Sequence, residues 1–491
     1  MADATIAPKA PPGRLALYLM LGFSAGLPFY MFNAVLTLRL ARHGIDIVLI
    51  GFFAWVALLP TFKFVWAPLL DRFDVPGFGS FWGKRRGWIM LSQLGIFLSM
   101  AAMAFTSSDR SLPLTALFAV LLAFWTTTLE VAADGWRIEL APTKAEQGPI
   151  VAANLWGYRS AMVAAGSGAV FVAGQLDWTW AYLVIAFAAF LPFPILVGTA
   201  RDAGHEGSRW AALGTGLVAS AVILLASLAA TAAVGWAILN VAAQAGMTSR
   251  TNVTPAVLAL ALLPFVGLAL ALPRIRRLGR EAPARRSLAI GPYVDIFWRF
   301  GYATLPVLAF VSFYRMGDVM TLTLSHPLWN ARGYSLNQIA MADGAVALLS
   351  SMVGVAIGGW MAARWRMGAA LAGGAIASAF GNWVFVWLWH AQPSNFVLYV
   401  AAGLDQFAHG LEGAVFVVYL SLLVNPRYPG AQYAFLSGFA FLLPRLLAGA
   451  AGSIQQQIGY DGFFWLSGGL SAAAILFLPF IVNVKPRPAE A

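Results

Sequence analysis

A chain of 491 residues in which 60% are hydrophobic and only 10% are charged cannot be a soluble domain, because its apolar runs of about 20 residues match repeated helical crossings of a bilayer. The net charge of +11 would suit a nucleic-acid binder, yet the basic residues fall mainly in short connections between apolar runs. Membrane topology accounts for them and no nucleic-acid partner is expected. The absence of cysteine excludes disulfides, thiolate nucleophiles and cysteine metal sites, and leaves the compartment open.

The apolar pattern predicts fourteen spans, at 15–38, 47–69, 87–106, 112–136, 150–174, 179–199, 211–241, 254–272, 299–324, 337–360, 368–391, 395–423, 432–453 and 463–484. Residues 1–14 read as a weakly basic tail and not as a cleavable signal, since the first apolar stretch is already long enough to span. Placing the N-terminus in the cytoplasm puts most of the 31 Lys and Arg in cytoplasmic connections, so both termini are expected there. Lys63, Arg159, Arg299, Arg315 and Arg445 are exceptions that lie within apolar stretches. A cation in hydrocarbon needs a carboxylate, a carbonyl or water, so these five face a polar interior or snorkel from helix ends.

The connections divide the chain unevenly. Residues 1–199 hold six spans, 299–491 hold six more, and 200–298 join them through two additional apolar helices and the basic stretch PRIRRLGREAPARR at 273–286. An all-α polytopic protein of two six-helix bundles plus a linker pair is the major-facilitator arrangement, whose halves rock around a central site. The linker pair is rich in Ala, Gly, Val and Leu and is expected to pack outside the pathway.

The second span runs through FKFVWAPLLDR into GKRRGW at 83–88. Asp71 and Arg72 therefore lie near a cytoplasmic helix end with Lys84, Arg85 and Arg86 across a short loop, which suits a gating latch whose pairs break as water enters. Ordinary positive-inside anchoring would use the same charges. At the end of the fourth span, Glu130, Asp134 and Arg137 share one helical face at spacings of four and three. That ladder suits gating or proton handling, or a structural ion network; Glu139 is out of phase with it.

The ninth span carries YRMGD, in which Arg315 and Asp318 are i,i+3 neighbours flanked by Tyr314, Thr321 and Ser325. Burying such a pair is costly enough to favour a substrate or coupling site over structural glue. On the twelfth span Asp405, His409 and Glu412 recur at i, i+4 and i+7 beside Gln406. A histidine near two acids can pass a proton near neutral pH; it can also simply hydrogen-bond two helices together, and a zinc site is the remote alternative. Asp343 and Arg445 are further buried-charge candidates. Asn33, Trp55, Asn154, Tyr158 and Asn382 can line a polar cavity. Arg159, Arg315 and Arg445 can donate to carboxylates while tryptophans stack on sugar rings, which suits an amphipathic anionic substrate. No catalytic residue and no resident cofactor or metal is expected; the proton is the expected coupling ion.

Through LGFSAGLPF at 21–29, FKFVWAPLLDRF at 62–73, KRRGW at 84–88, DGWRIEL at 134–140, YRMGD at 314–318, and VFVVYLSLL followed by AQYAFLSGF within 415–439, the chain resembles the AmpG family of muropeptide permeases. That family is a branch of the major facilitator superfamily related to acetyl-CoA and some siderophore transporters. The resemblance covers both six-helix groups. It implies proton-driven uptake of GlcNAc-anhydroMurNAc and its peptide derivatives across a bacterial inner membrane for peptidoglycan recycling, by a protein expected to be a monomer with membrane lipid around it. It also implies that Asp71 and the basic cluster at 84–86 form a cytoplasmic gate, and that Glu130, Asp134, Tyr314, Arg315, Asp318 and Asp405 occupy polar motif positions. Leu129, His409 and Glu412 depart from the glutamine-containing and glycine-rich patterns of the muropeptide members, as does the mid-chain helix pair. Another anionic or amphipathic solute, such as acetyl-CoA or a siderophore, is the alternative cargo; an intramembrane enzyme or sensor is the alternative outside transport.

Overall fold

The computed structural model describes residues 12–43, 55–75, 82–106, 111–141, 143–198, 254–279, 281–287 and 289–482, with 484 and 487. The expected span 211–241, the start of 47–69, and the side chains of Asn33 and Trp55 lie outside the described residues. Among the described residues there is no strand, and nine helices are long and apolar enough to cross a membrane. Contacts divide the chain into two units, Met1–Leu228 with Pro426–Ala434, and Ala229–Asn425 with Phe435–Ala491.

In the first unit, α1 (Pro12–Tyr30) passes through a π-helical turn, Met31–Val35, into α2 (Leu36–Arg42). Pro28 within α1 lacks an N–H and leaves a helical bond unmade, a common setting for such a widened turn. The second span is a 3₁₀ stretch, Trp55–Val65, followed by α3 (Ala67–Arg72). Then come α4 (Lys84–Phe105), α5 (Leu112–Leu140), α6 (Lys144–Val163), α7 (Ala169–Gln175), α8 (Trp178–Phe190) and α9 (Pro192–Gly198). α1 packs on α6, and α4 on α5 and α8. At Gly157 the backbones approach so closely that an added Cβ would run into the Leu19 carbonyl, which small residues alone permit.

In the second unit, α10 (Thr254–Arg276) precedes α11 (Gly291–Phe300) and packs on it, with Phe265 edge-on to Phe439 at 5.3 Å. The span expected at 299–324 falls within Gly291–Ala331, an apolar stretch long enough to cross a membrane, and within it the chain breaks twice. Gly301, at φ 56°, ends α11 in a conformation that favours glycine. Arg315 (φ −99°, ψ −1°) then separates α12 (Thr304–Tyr314) from α13 (Met316–Ala331). Hydropathy registers the apolar length of a span but not such a break. Next are α14 (Leu336–Met341), α15 (Ala347–Arg364), α16 (Met367–His390), α17 (Asn395–Leu423), α18 (Pro429–Gly449) and α19 (Ala451–Ala473). α15 packs on α17, where a Cβ on Gly354 would meet the Phe407 carbonyl. A core of Met316, Met320, Leu328, Trp329, Phe385 and Phe464 joins α13, α16 and α19.

Arginines close several helix ends. Arg39, only 4% exposed, donates to Met103 O at 2.7 Å and Thr106 O at 2.6 Å, at the end of α4. Arg14 donates to Leu140 O at 2.9 Å at the end of α5, and Arg332 to Ala391 O just past α16. The last carbonyls of a helix have no partner within it and carry the negative end of its dipole, so a cation suits each position.

Replacing Gly157 by Val forces the α1–α6 crossing apart and is expected to lose about 1–3 kcal/mol of stability. Thermal unfolding in detergent checks this against Gly166→Val, where a Cβ meets nothing within 4 Å and little change is expected.

Candidate functional site

The break at Arg315 sets a guanidinium at the junction of α12 and α13, one residue from the first turn of α13 that carries Asp318. Their pairing at i,i+3 is made, with Arg315 Nη1 2.8 Å from Asp318 Oδ2. From α17, Glu412 brings Oε1 to 3.4 Å from the same nitrogen, and His409 Nε2 lies 3.3 Å from Arg315 Nη2. The other ring nitrogen of His409, Nδ1, stands 3.5 Å from Asp318 Oδ2. A guanidinium only donates, so Nε2 accepts and Nδ1 carries the ring proton toward Asp318.

α16 and α19 complete the shell. Ser378 donates to Asp318 Oδ1 at 2.9 Å and lies 3.0 Å from Ser471 Oγ, which accepts from Asn382 at 3.2 Å. Thr321 and Ser467 are 2.7 Å apart, and Ser467 donates to Gly317 O at 2.9 Å. The Glu412 side chain is 0% exposed and that of Asp318 3%. Phe416 stacks on Tyr314 at 5.4 Å, and the Arg315 guanidinium lies 5.3 Å from the Phe441 ring. With Arg315 positive, His409 neutral and both carboxyls ionised, the cluster carries one excess negative charge; a single added proton makes it neutral. In a protein interior that difference is worth several kcal/mol.

The first unit holds the second charged assembly. Arg85 Nη2 is 2.7 Å from both Asp71 Oδ1 and Glu139 Oε1, and Lys84 donates to the Asp71 backbone carbonyl at 2.7 Å. The buried Asp71 carboxylate also accepts from Gly430 N at 3.1 Å and Ala431 N at 2.7 Å. It therefore caps the N-terminus of α18 from a remote part of the chain, where unpartnered N–H groups and the helix dipole favour an anion. Arg86 lies 5.2 Å from the Trp136 ring, while Arg72 is exposed. Glu139, out of phase with the acidic ladder, faces the latch.

The expected ladder on α5 is split. Asp134 pairs with Arg137 at 3.0 Å, but Glu130 pairs with Lys63 at 3.5 Å. Arg137 also donates to Gln147 Oε1 at 2.7 Å and lies 5.2 Å from the Tyr433 ring. Tyr314, Arg315, Asp318, Asn382, His409 and Glu412 thus come together. Asp405 accepts from Gln406 at 3.0 Å on the half-buried flank of α17, Arg159 contacts Met162, and Asp343, expected to be buried, is exposed and pairs with the exposed His326. Arg445 lies 5.4 Å from the Phe441 ring that Arg315 also faces. Among the described residues, no group of three or more His, Asp or Glu converges as metal ligands. Ser378, Ser467 and Ser471 were missed from sequence; their signal is four-residue spacing, Ser378 with Asn382 and Ser467 with Ser471, along otherwise apolar helices.

No protein-family model matches the chain. It is 26% identical over 474 residues to a putative transporter, AmpG 4, of Rickettsia conorii, covering 96% of this chain and 97% of that protein. It is 24% identical over 466 residues to the anhydromuropeptide permease of Escherichia coli K12, covering 95% of this chain and 79% of that one. Among solved structures, the proton:xylose symporter XylE superposes with a TM-score of 0.59 at 12% identity, covering 96% of this chain and 94% of that chain. The human organic anion transporter MFSD10 gives 0.56 at 15% identity, over 95% and 100%. The fold is that of the major facilitator transporters.

Two outcomes follow from the geometry. Arg315→Leu strands two buried carboxyls and is expected to lose about 3–5 kcal/mol of stability, measured by thermal unfolding beside the milder Asn382→Ala. Because the chain has no cysteine, Ala431→Cys is a clean reporter: adding Asp71→Asn, which weakens the α18 cap, should raise its maleimide labelling severalfold.

Proposed function

We propose that this chain, an AmpG-like protein of the major facilitator fold, imports GlcNAc-anhydroMurNAc and its peptide derivatives in symport with protons. The setting is the bacterial inner membrane, with both termini in the cytoplasm, and the route is alternating access between halves at 1–199 and 299–491 joined by 200–298. Likeness over nearly the full length to a protein named anhydromuropeptide permease supports the cargo. The observation that carries the coupling is the buried Arg315–Asp318–Glu412–His409 cluster, in which two carboxyls share one guanidinium.

The chemistry is a competition for Arg315. When Glu412 holds the proton, Arg315 is balanced by Asp318 alone and the cluster is neutral. When the proton leaves, the second carboxylate competes for the same guanidinium, and His409, with Nδ1 facing Asp318, offers the exit path. A peptide carboxylate on the cargo is a further competitor for Arg315, so arrival of cargo and protonation of Glu412 favour one another. Arg159 and Arg445 are the other candidate carboxylate donors, Gln406 and Asn382 the candidate polar contacts, and Glu130, Asp134 and Asp405 the remaining candidates for the coupling proton. The Asp71–Arg85–Glu139 latch would hold one state and open as the N-terminus of α18 leaves Asp71.

Proteoliposomes given labelled GlcNAc-anhydroMurNAc-peptide should accumulate it only under an inward proton gradient. Glu412→Gln, which keeps shape but cannot titrate, should lose accumulation by an order of magnitude while retaining exchange of internal for external cargo. Absence of uptake by folded protein would transfer the assignment to another organic anion. Accumulation by Glu412→Gln as strong as wild type would remove Glu412 from the coupling step.

A further inference from the structure

Behind the ion pair at the start of α13, a row of hydroxyl and amide groups has a definite direction. α16 carries Ser378 and Asn382, and α19 carries Ser467 and Ser471, each pair four residues apart and so on one face of its helix. All four are buried. Gly317 in the first turn of α13 lets them approach: an added Cβ there would lie 2.0 Å from Ser471 Oγ and 2.4 Å from Asn382 Nδ2. A hydroxyl has one proton to give, and this fixes the order of the bonds. Ser378 gives its proton to Asp318 Oδ1 at 2.9 Å, so across the 3.0 Å contact between the two serines it is Ser471 that donates. The proton of Ser471 is then committed as well, and Asn382 must present its amide N–H, as it does at 3.2 Å. Donation therefore runs one way, from Asn382 to Ser471 to Ser378 to Asp318. A second row behaves alike: Ser467 donates to Gly317 O at 2.9 Å, which leaves Thr321 as the donor in its 2.7 Å contact with Ser467.

The other oxygen of Asp318, Oδ2, faces Arg315 Nη1 at 2.8 Å and His409 Nδ1 at 3.5 Å. Tyr314 on α12, stacked on Phe416, and Arg445 on α18, across the Phe441 ring, also face the cluster. A proton arriving on Oδ1 meets the hydrogen of Ser378, and one arriving on Oδ2 meets a guanidinium that cannot accept it. Admitting a proton at Oδ1 requires the whole row to reverse, ending in a turn of the Asn382 amide. Glu412 is held differently. It meets Arg315 Nη1 at the longer 3.4 Å, and among the described residues neither of its buried oxygens accepts a hydrogen bond. Of two carboxyls withdrawn from water, the one without donors is the costlier to leave ionised.

We infer that Asn382, Ser471 and Ser378 are positioning residues of the coupling step: their row of donors keeps Asp318 as the permanent anion opposite Arg315 and leaves Glu412 as the carboxyl that takes and releases the proton. The inference rests on the proton coupling proposed for this cluster, and it supplies the reason that Glu412 and not Asp318 exchanges. Hydrogen bonds to an ionised acceptor are about twice as strong as those between neutral groups, so the row gains most while Asp318 stays charged. Removing Ser471 or Asn382 frees Ser378 to turn and accept, and Asp318 then competes for the proton.

The test needs no cargo. Infrared difference spectra between acid and alkaline buffer are recorded on the full-length protein in liposomes, with and without aspartate isotopically labelled at its side-chain carboxyl carbon. Wild type should show a carboxylic-acid C=O band that Glu412→Gln abolishes and that the aspartate label leaves in place. In Ser471→Ala and in Asn382→Ala part of that band should shift with the label, and the shifted part should vanish when Asp318→Asn is added. Ser351→Ala, which removes an equally buried hydroxyl on α15 outside the row, should behave as wild type. A label-insensitive band unchanged in both variants, or a wild-type band that already shifts with the label, overturns the inference and leaves symport standing. Absence of any band sensitive to Glu412→Gln overturns the inference together with the part of Glu412 in coupling.

Discussion

A guanidinium withdrawn from water has five donors and no acceptor, and in a bilayer it must find oxygen or pay several kcal/mol. That constraint organises this protein. Arg315 is held by a pair begun on α13 to which α17 adds His409 and Glu412. Arg85 is satisfied by Asp71 and by Glu139 from α5. The contacts from α17 to Arg315 and from α5 to Arg85 join segments far apart in sequence, so charges that are unfavourable in isolation become the fastenings between helices. They are also where function is to be expected, since a bond whose strength depends on a proton or on a competing carboxylate can be made and broken.

The same constraint recurs at two helix ends. Arg39 of α2 closes the C-terminal end of α4, and Arg332, just past α13, donates to a carbonyl just past α16. The backbone environment is alike in both, a helix end with carbonyls lacking partners.

Much of the chemistry was legible in advance for a local reason. Arg315 and Asp318, or Asp134 and Arg137, share a helical face, and spacing along one helix predicts such neighbours. The transmembrane class and the major facilitator fold were legible because hydropathy and likeness to known permeases act over the whole length. What escaped was non-local. The four-residue spacing makes Glu130 a rung of the ladder on α5, yet it pairs with Lys63 on the second span. Glu139 was set aside as out of phase, yet it faces Arg85. The serines behind Asp318 were passed over because a single serine in an apolar helix carries no periodic signal of its own.

The sequence by itself therefore determined that this chain is a bundle of membrane helices, which of its charges are too costly to be idle, and which of them pair within one helix. Those properties follow from composition and from the 3.6-residue period. Only the tertiary structure decided that Glu412 and His409 share Arg315 and Asp318 while Asp405 does not, and that Asp71 caps a helix that begins more than 350 residues later. Side chains on different helices meet through rotation and register, and these are set by the packing of backbones at positions such as Gly157 and Gly354 and not by any pattern along the chain.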